Sequence, residues 1–430
     1  MRRSPLPRMA SPALLAALLA CPALPSPAGP HSGRPVRVEC TNPGTAPRTD
    51  APVAIPLASV KKVHTEFTAA NFAVLSDGKA LAAQTGDTDA DGRPDEILVL
   101  LDLAGGETRL LELHSPPPPG LPAAPARPRA QADLMVKTDY TLRDGVYAGG
   151  RFVGANTATT PAGHRSHNAY FKYEGPGWES DRIAYRLYLD ERNRCDIFGK
   201  LVPDLVLHTV GVNDLVSDGK ESYTVMQPWG RDIYKVASTL GIGSFALWHD
   251  GRPAPVERYD SASCRIVENG PLRAAIVVGY RGWVVDGRKR DLDVRLSIAG
   301  GSRVTRVELR ATGPAADFCT GVAAHPGSET ILAPPEGKEP WAYAARYGLQ
   351  TLTGDRLGTA VFYRRAELVA TAEDSLNRTL ALRPSGGAVT YHACAAWEKE
   401  PGGITNESDF RSYLDRTARE LSSPVRVKVR

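Results

Sequence analysis

The sequence predicts an all-β protein that consists of a small N-terminal β-sandwich followed by a large antiparallel β-sandwich. Glycine and proline are frequent, at 40 and 35 of 430 residues, whereas methionine is rare, at 4 residues. Short valine-rich runs alternate with these turn formers, which is typical of sheets built from many short strands. No motif recurs at a fixed period, so neither a propeller nor a solenoid is expected.

The small sandwich is predicted over residues 36–114, and a proline-rich linker over residues 115–131 separates it from the rest of the chain. Proline fixes φ and lacks an N–H donor, so regular sheet is not expected within that linker. The predicted strands of the small sandwich are Val36–Val38, Val53–Ile55, Phe72–Leu75 and Ile97–Leu101.

The large sandwich is predicted over residues 132–430. Residues Val304–Arg310 alternate between a face of apolar or small side chains and a face that is charged in mid-strand, as expected for a half-buried strand. Two helices are also expected, a short one at Arg231–Leu240 and a longer one at Asp409–Leu421. The other predicted strands are Ala169–Tyr173, Ile183–Leu189, Ala274–Tyr280, Leu292–Ile298 and Ala360–Tyr363.

The first 21 residues predict an export signal. Three arginines lie within the first eight residues, and an apolar run over residues 13–20 ends at Cys21. A basic start, a short apolar stretch and small residues are typical of export signals, and this run is too short to span a bilayer. Residues 22–35 are rich in Pro, Gly and Ser and are expected to form a disordered linker.

The end of this signal is compatible with two kinds of processing. Leu18–Cys21 resembles a bacterial lipoprotein cleavage box, in which the cysteine becomes the first mature residue and carries lipid. The alternative is a conventional cleavage further along, near Ala28. The predicted location is therefore the periplasm, the outer membrane as a lipoprotein, or the exterior, with membrane contact only through the N-terminal lipid.

Charge and cysteine usage exclude several classes of protein. The net charge is +4, and no basic run contains interleaved aromatic residues, so nucleic acid is not an expected partner. Five cysteines follow Cys21, and in an oxidising compartment they would allow one or two disulfides with at least one thiol left over. No CxxC pair or Cys/His cluster is present, so a zinc site is not expected.

A calcium-binding loop is predicted by the spacing D-x-D-x-D-G-x-x-D. Alternate carboxylates in a tight loop can face one hard cation, and Gly92 permits the sharp turn. An EF-hand is excluded because its twelfth position would be Leu98 and a strand follows instead of a helix. The alternative is a solvated acidic hairpin. The expected ligands of a structural Ca²⁺ are Asp87, Asp89, Asp91 and Asp95, with the carbonyl of Arg93.

Polar and aromatic residues are concentrated between His164 and Lys235. Sugar sites need flat apolar rings against C–H surfaces and fixed polar groups for the hydroxyls. The expected partner is therefore a polysaccharide or oligosaccharide. The predicted substrate-binding residues are Trp178, Asp181, Asp196, Lys220, Trp229, Tyr234 and Lys235. The predicted catalytic residues are His167, Tyr173, Glu174, Glu179, Arg182, His208 and Asp232.

Three reactions and one non-catalytic role remain open from the residues alone. A glycosidase would use two of the catalytic carboxylates. A uronate lyase would use His167 or His208 with Tyr173 for proton abstraction, and Arg182, Lys220 or Lys235 as the cation. A mutarotase or epimerase would pair His208 with a glutamate. A glycan-binding lipoprotein would instead present the two tryptophans as an open platform and would tolerate loss of the acids and histidines.

Several of these segments also resemble a bacterial family known as domain of unknown function 4861. Glu174–Asp181 and Asp196–Lys200 are the most specific of them, together with Trp229–Asp232 and the aspartate loop. The resemblance runs from about Val36 to the C-terminus. It implies an exported protein that acts on uronate-containing, pectin-like glycans, but it supplies no catalytic residues. By analogy it also implies a supersandwich like that of galactose mutarotases and several polysaccharide lyases.

Overall fold

The computed structural model describes residues 34–124, 127–213 and 222–430. Within these ranges no helix is long and apolar enough to cross a membrane. The expected export signal, Cys21, nearly all of the expected linker 22–35, and Lys220 lie outside the described residues.

The regular elements are almost all strands, which confirms the all-β prediction. The first part of the chain contains β1 (Val36–Thr41), β2 (Arg48–Pro56), α1 (Leu57–Val63), β3 (Ala73–Ser76), β4 (Lys79–Leu81), β5 (Ala83–Gly86), β6 (Glu96–Leu103) and β7 (Thr108–His114). The middle part contains β8 (Ala130–Asp133), β9 (Met135–Thr138), β10 (Thr141–Arg143), β11 (Val146–Ala148), β12 (Arg151–Gly154), β13 (Thr157–Thr159), β14 (Gly177–Ser180), β15 (Ala184–Leu187), β16 (Cys195–Lys200), β17 (Gly230–Asp232), β18 (Ala246–His249) and β19 (Arg252–Pro255). The last part contains β20 (Ser261–Asn269), β21 (Arg273–Val285), β22 (Arg288–Ala299), β23 (Val304–Thr312), β24 (Phe318–Ala323), β25 (Ser328–Leu332), β26 (Trp341–Leu349), β27 (Arg356–Arg364), β28 (Leu368–Glu373), β29 (Asn377–Leu382), β30 (Ala388–Trp397), α2 (Glu407–Ser422) and β31 (Arg426–Val429).

The small sandwich packs the sheet β31-β1-β7-β3-β4 against the sheet β2-β6-β5. Val36 and Val38 of β1 share one apolar core with Ile97 and Val99 of β6. These residues alternate along their strands, as the pleat requires when one face of each sheet is buried. Helix α1 was not expected, and it contributes the buried Val60 to the same core.

The last strand of the chain departs from the expectation that residues 132–430 all belong to the large sandwich. β31 pairs antiparallel with β1, so that Val429 lies opposite Val38. Val427 and Val429 pack against the core of the small sandwich. The edge of the N-terminal sheet is therefore completed by the C-terminus.

The large sandwich faces a nine-stranded antiparallel sheet with two five-stranded ones. The nine strands run in the order β13-β20-β21-β22-β23-β30-β27-β26-β25, and the shorter sheets are β17-β16-β15-β14-β8 and β19-β18-β24-β29-β28. Helix α2 covers the outer face of the large sheet. Gly358 permits this contact, because a Cβ there would lie 2.4 Å from the Phe410 ring. This two-layer arrangement is the predicted supersandwich.

Two expected elements are absent, for identifiable reasons. Ala169–Tyr173 does not form a strand, because Phe171 makes only an isolated bridge and a 3-10 turn follows at Lys172–Glu174. Arg231–Leu240 is not a helix, because β17 at its start pairs with β16 and places Asp232 opposite Phe198. The expected helix at 409–421 is confirmed as α2, with Asn406 as its N-cap.

The disulfides that the sequence allowed do not form among the described cysteines. All five of these are buried and free: Cys40, Cys195, Cys264, Cys319 and Cys394. Burial raises the pKa of the Cys264 thiol well above its ordinary value, as expected for a thiol that behaves as a small apolar side chain.

Candidate functional site

The sheet β17-β16-β15-β14-β8 has one apolar and one polar face. In β16, Cys195 and Ile197 belong to the large core, so the intervening Asp196, Phe198 and Lys200 point to the opposite face. Strand pairing sets the polar side chains in rows across the sheet. One row contains Asp133, Gly177, Arg186 and Asp196, and the next contains Gln131, Glu179, Ala184, Phe198 and Asp232.

Arg186 is the centre of a buried cluster on this polar face. Its Nη2 donates to Asp196 Oδ2 at 2.7 Å, to Asp232 Oδ2 at 2.6 Å and to the Tyr188 hydroxyl at 2.7 Å. Tyr188 in turn donates to Asp196 Oδ2 at 2.5 Å. The guanidinium also lies 4.5 Å from the Tyr188 ring and 5.1 Å from the Tyr223 ring. Asp196 is fully buried, whereas the Asp232 side chain is 10% exposed.

Asp232 has a pKa far above that of an ordinary aspartate. Burial, and then the neighbouring Asp196 carboxylate, raise its pKa from an ordinary 3.8 to about 7, and Arg186 only partly offsets them. The local charges explain this outcome. Two guanidiniums, of Arg186 and Arg192, must serve four carboxylates, namely those of Glu174, Asp190, Asp196 and Asp232.

Glu174 is the opposite case at the edge of the same cluster. Its Oε1 accepts from Arg192 at 2.8 Å and lies 3.1 Å from His167 Nδ1, and its Oε2 lies 3.7 Å from Arg186 Nη1. Burial raises the pKa of Glu174, but Arg186 and Arg192 outweigh burial and lower it overall. One guanidinium therefore contacts one acid with a raised pKa and one acid with a lowered pKa.

The backbone that carries Glu174 is strained. Four non-glycine residues within eight positions adopt the left-handed region: His167 (φ 60°), Ala169 (φ 61°), Tyr173 (φ 38°) and Glu174 (φ 71°). Such conformations are unfavourable for L-residues and tend to cluster at functional sites. The same distortion prevents the expected strand in this segment.

The Glu179 carboxylate binds the backbone at Val206 and Leu207 rather than facing a ligand. Its Oε1 accepts from the backbone N–H groups of Val206 and Leu207 at 2.7 Å each and from Gln131 at 2.6 Å. Its Oε2 accepts from Lys200 Nζ at 2.6 Å, and both charged side chains are fully buried. These contacts occupy the carboxylate, so the expected catalytic role does not fit Glu179.

Tyr173 is also covered. Its hydroxyl donates to Asp133 Oδ2 at 2.5 Å, and Lys172 Nζ lies 2.9 Å from the same oxygen. Burial, with Asp133 next, raises the pKa of Tyr173 well above its ordinary value. Gly177 makes room for it, because a Cβ there would lie 2.7 Å from the Tyr173 hydroxyl and 2.9 Å from Leu207 Cδ1. Because the Tyr173 hydroxyl does not readily lose its proton here, the role of catalytic base that the sequence suggested for it is unfavourable.

Trp178 and three other predicted residues lie away from the cluster. Trp178 is buried in the large core and donates to Thr305 Oγ1 at 2.8 Å, so it cannot serve as an open sugar platform. Its place on the apolar face follows from strand alternation. Asp181 and Arg182 bond elsewhere, to Arg129 at 2.7 Å and to the Pro401 carbonyl at 3.2 Å. His208 is exposed, with Nδ1 3.3 Å from Gln131 Nε2.

The remaining predicted substrate-binding residues surround the cluster at different depths. Trp229 is partly exposed and meets the Phe198 ring edge-on, with centroids 6.0 Å apart. Tyr234 is buried, with its ring edge-on to His325 at 4.8 Å, and Lys235 is exposed. The fold thus brings five of the predicted residues to one region: Asp196, Asp232, Glu174, His167 and Trp229.

The basic and aromatic residues that organise the cluster were not predicted from the sequence. Arg186, Tyr188, Arg192 and Tyr223 were not among the expected site residues. A signal existed for the first of them: the run Ala184–Leu187 places an arginine between two apolar residues of a short strand. Period-two alternation then puts that guanidinium on the opposite face of the sheet from Tyr185 and Leu187.

The aspartate loop has a geometry that suits a hard cation. Carboxylate oxygens of Asp87, Asp89 and Asp95 all lie within 4.8 Å of one another, and oxygen donors are the ligands that Ca²⁺ prefers. Asp91 differs from the expectation because it does not belong to this convergent group; its Oδ1 accepts from the Arg93 N–H at 2.7 Å. Three of the four expected aspartates are therefore convergent.

Comparison with solved structures found distant similarity. An α-mannosidase from Enterococcus faecalis matches with a TM-score of 0.45 and 10% identity, over 93% of this chain and 46% of that one. A glycosyl hydrolase family 38 protein from the same organism matches with a TM-score of 0.44 and 9% identity, over 93% of this chain and 48% of that one. The chain thus spans about half the length of these two proteins.

Comparison at the level of sequence gave one assignment. No curated protein matched the chain. The sequence model of a family described as domain of unknown function (DUF4861) matches residues 40–427, which is most of both sandwiches and includes the Arg186 cluster. The chain therefore belongs to the domain of unknown function 4861 family.

Proposed function

We propose that this protein is an exported glycan-cleaving enzyme, a hydrolase of uronate-containing, pectin-like poly- or oligosaccharides. The observation that supports this most is the opposite behaviour of two acids on one guanidinium. Asp232 has its pKa raised to about 7, while Glu174 has its pKa lowered. Two carboxyl groups whose pKa values are driven apart are the mark of acid and base in glycoside hydrolysis.

In this proposal Asp232 is the general acid. With a pKa of about 7, a substantial fraction of the molecules carries a proton on Asp232 near neutral pH, and this proton can be donated to the glycosidic oxygen of the leaving group. Glu174, ionised beside Arg192, is the carboxylate that activates water or attacks the anomeric carbon. Arg186 positions both acids, and Asp196 supplies the buried charge that keeps the proton on Asp232.

One partly exposed cation at the edge of the cluster is the contact that we propose for an acidic substrate. Arg192 is 25% exposed and lies 3.8 Å above the Tyr188 ring, while the His167 side chain is 80% exposed. A partly exposed guanidinium on an aromatic ring can meet the carboxylate of a uronate unit. The family resemblance implies the same class of glycan.

A lyase remains the main alternative within the same substrate class. The buried environment of Tyr173 weighs against the base that the sequence suggested for it, and His208 lies apart from the cluster. A mutarotase and a glycan-binding lipoprotein are further alternatives. The lyase and the glycan-binding protein each predict a different outcome in one experiment.

That experiment is the mass-spectrometric digestion of a panel of acidic and neutral glycans by the wild type, Asp232→Asn and Glu174→Gln. The matched controls are Asp204→Asn and Glu257→Gln, whose side chains are 68% and 61% exposed. Hydrolysis products that disappear in the first two variants and persist in the controls support the proposal. Products lighter by one water than hydrolysis products would indicate a lyase. Binding without products would indicate a glycan-binding protein.

Export and calcium binding complete the proposal. We propose that residues 1–21 direct export, with Cys21 as the lipid attachment site if processing follows the lipoprotein route. Labelling cells with a radioactive fatty acid tests this, because a Cys21→Ala variant should lose the label. We also propose that Ca²⁺ binds Asp87, Asp89 and Asp95 and stabilises the small sandwich without taking part in catalysis.

A further inference from the structure

The hairpin β10–β11 exposes an unusual amount of apolar surface. Tyr140 is 41% exposed, Leu142 59% and Val146 39%. A two-stranded hairpin gains little stability by itself, and exposed apolar side chains that cluster commonly mark a binding surface. In this hairpin Leu142 lies opposite Tyr147 and Arg143 lies opposite Val146.

Three tyrosine rings support this surface. The Tyr140 ring meets Tyr147 edge-to-face, with centroids 4.6 Å apart and planes at 79°, and Tyr147 contacts Tyr170 at 5.0 Å. Tyr147 is buried, so its ring anchors the more exposed Tyr140. We call Tyr140, Tyr147 and Tyr170 the tyrosine stack. A ring held in this way can bind a sugar at little cost in side-chain entropy.

The tyrosine stack is continuous with the segment that carries Glu174. The Tyr147 N–H donates to the Asn168 carbonyl at 2.8 Å, and the side chain of Asn168 lies 2.9 Å from His164 Nδ1. Tyr170 is itself part of the strained segment and precedes Glu174 by four positions. A ligand on the stack therefore lies on the same structural unit as the proposed catalytic carboxylate.

From this continuity we propose that the tyrosine stack is an additional subsite, which binds sugar units of the glycan beyond the pair that flanks the cleaved bond. The inference rests on the proposed function for the identity of its ligand. Flat aromatic rings match the apolar C–H faces of pyranose units. The exposed guanidiniums of Arg143 and Arg165 match uronate carboxylates, although Asp144 lies between the two strands as well.

The test measures binding without turnover, in the Asp232→Asn background. Affinity for a galacturonate hexasaccharide is compared with that for a disaccharide by isothermal titration calorimetry, with and without Tyr140→Ala. Tyr140→Phe keeps the ring and serves as the matched variant, and Leu110→Ala removes a 45% exposed side chain from the other sandwich. We expect Tyr140→Ala to weaken hexasaccharide binding about five- to tenfold. The disaccharide, Tyr140→Phe and Leu110→Ala should show no change.

The outcomes separate this inference from the proposed function. If Tyr140→Ala leaves hexasaccharide affinity unchanged, or if the Asp232→Asn protein binds no glycan of the panel, the subsite is refuted. An equal loss in Tyr140→Phe would also refute it, because the hydroxyl rather than the ring face would then matter. If Asp232→Asn proves fully active, the proposed catalytic role fails, and the effect of Tyr140→Ala on the KM for the hexasaccharide then decides the subsite in place of the calorimetric affinity.

Discussion

Replacing Asp232 by asparagine should change the pH dependence of stability by a predictable amount. The native carboxyl has a pKa of about 7, against an ordinary 3.8. A difference of about three pKa units, at about 1.4 kcal/mol for each, amounts to about 4 kcal/mol. Between these two values the unfolded chain releases the proton and the folded chain retains it. Through Asp232 the wild type therefore loses up to about 4 kcal/mol of unfolding free energy as pH rises from about 4 to about 7, and this contribution is absent from Asp232→Asn.

Urea unfolding followed by tryptophan fluorescence measures this difference at several pH values between about 4 and 8.5. The unfolding free energy of Asp232→Asn should increase relative to that of the wild type between about pH 4 and about pH 7. Above about pH 7 the difference between the two proteins should stay constant. Asp204→Asn, which removes a carboxylate that is 68% exposed, should stay within about 0.5 kcal/mol of the wild type throughout. A difference between Asp232→Asn and wild type that is constant with pH, or that moves the other way, would refute the assignment of a protonated Asp232.

Three further perturbations test other parts of the structure. Glu179→Gln should cost about 3–5 kcal/mol in urea unfolding, because it leaves the buried Lys200 unpaired; a loss below about 1 kcal/mol would contradict this. Gly177→Ala should cost about 1–3 kcal/mol and less in a Tyr173→Phe background, as a double-mutant cycle would show, whereas additivity would count against the contact. Calcium at about a hundred times its Kd should stabilise the wild type by about 2.7 kcal/mol and Asp87→Asn much less; equal stabilisation would exclude this loop.

Strand periodicity made much of the fold predictable. The alternation of Val304–Arg310 gave β23, and the apolar spacing of residues 409–421 gave α2, because each pattern matches the geometry of its element. Pairing between distant strands was not predictable in this way. Nothing in the four residues of β31 indicates that they pair with β1, since short valine-containing runs are compatible with any free sheet edge.

The candidate site was predicted as a region more successfully than residue by residue. Asp232 and Glu174 were expected to act, but the acid between them in sequence, Glu179, is buried by contacts with backbone groups of a later segment. Trp178 was wrongly predicted to bind substrate, because the presence of a tryptophan in a strand does not indicate whether its ring faces the core or the solvent. Only the register of β14 decides which, and that register is a tertiary property.

The pairing of β31 with β1 has a consequence for biogenesis. Glu39 and Arg430 form an ion pair at 2.9 Å across 391 positions of the chain, so the sheet that contains β1 cannot be completed until residues 426–430 have been synthesised. Closing such a large loop is entropically costly and slow. A chain of this design would keep its small sandwich open during synthesis and would close it only after residues 426–430 have been made. A fragment that ends before residue 426 would carry an unprotected β1 edge, on which a second molecule could assemble.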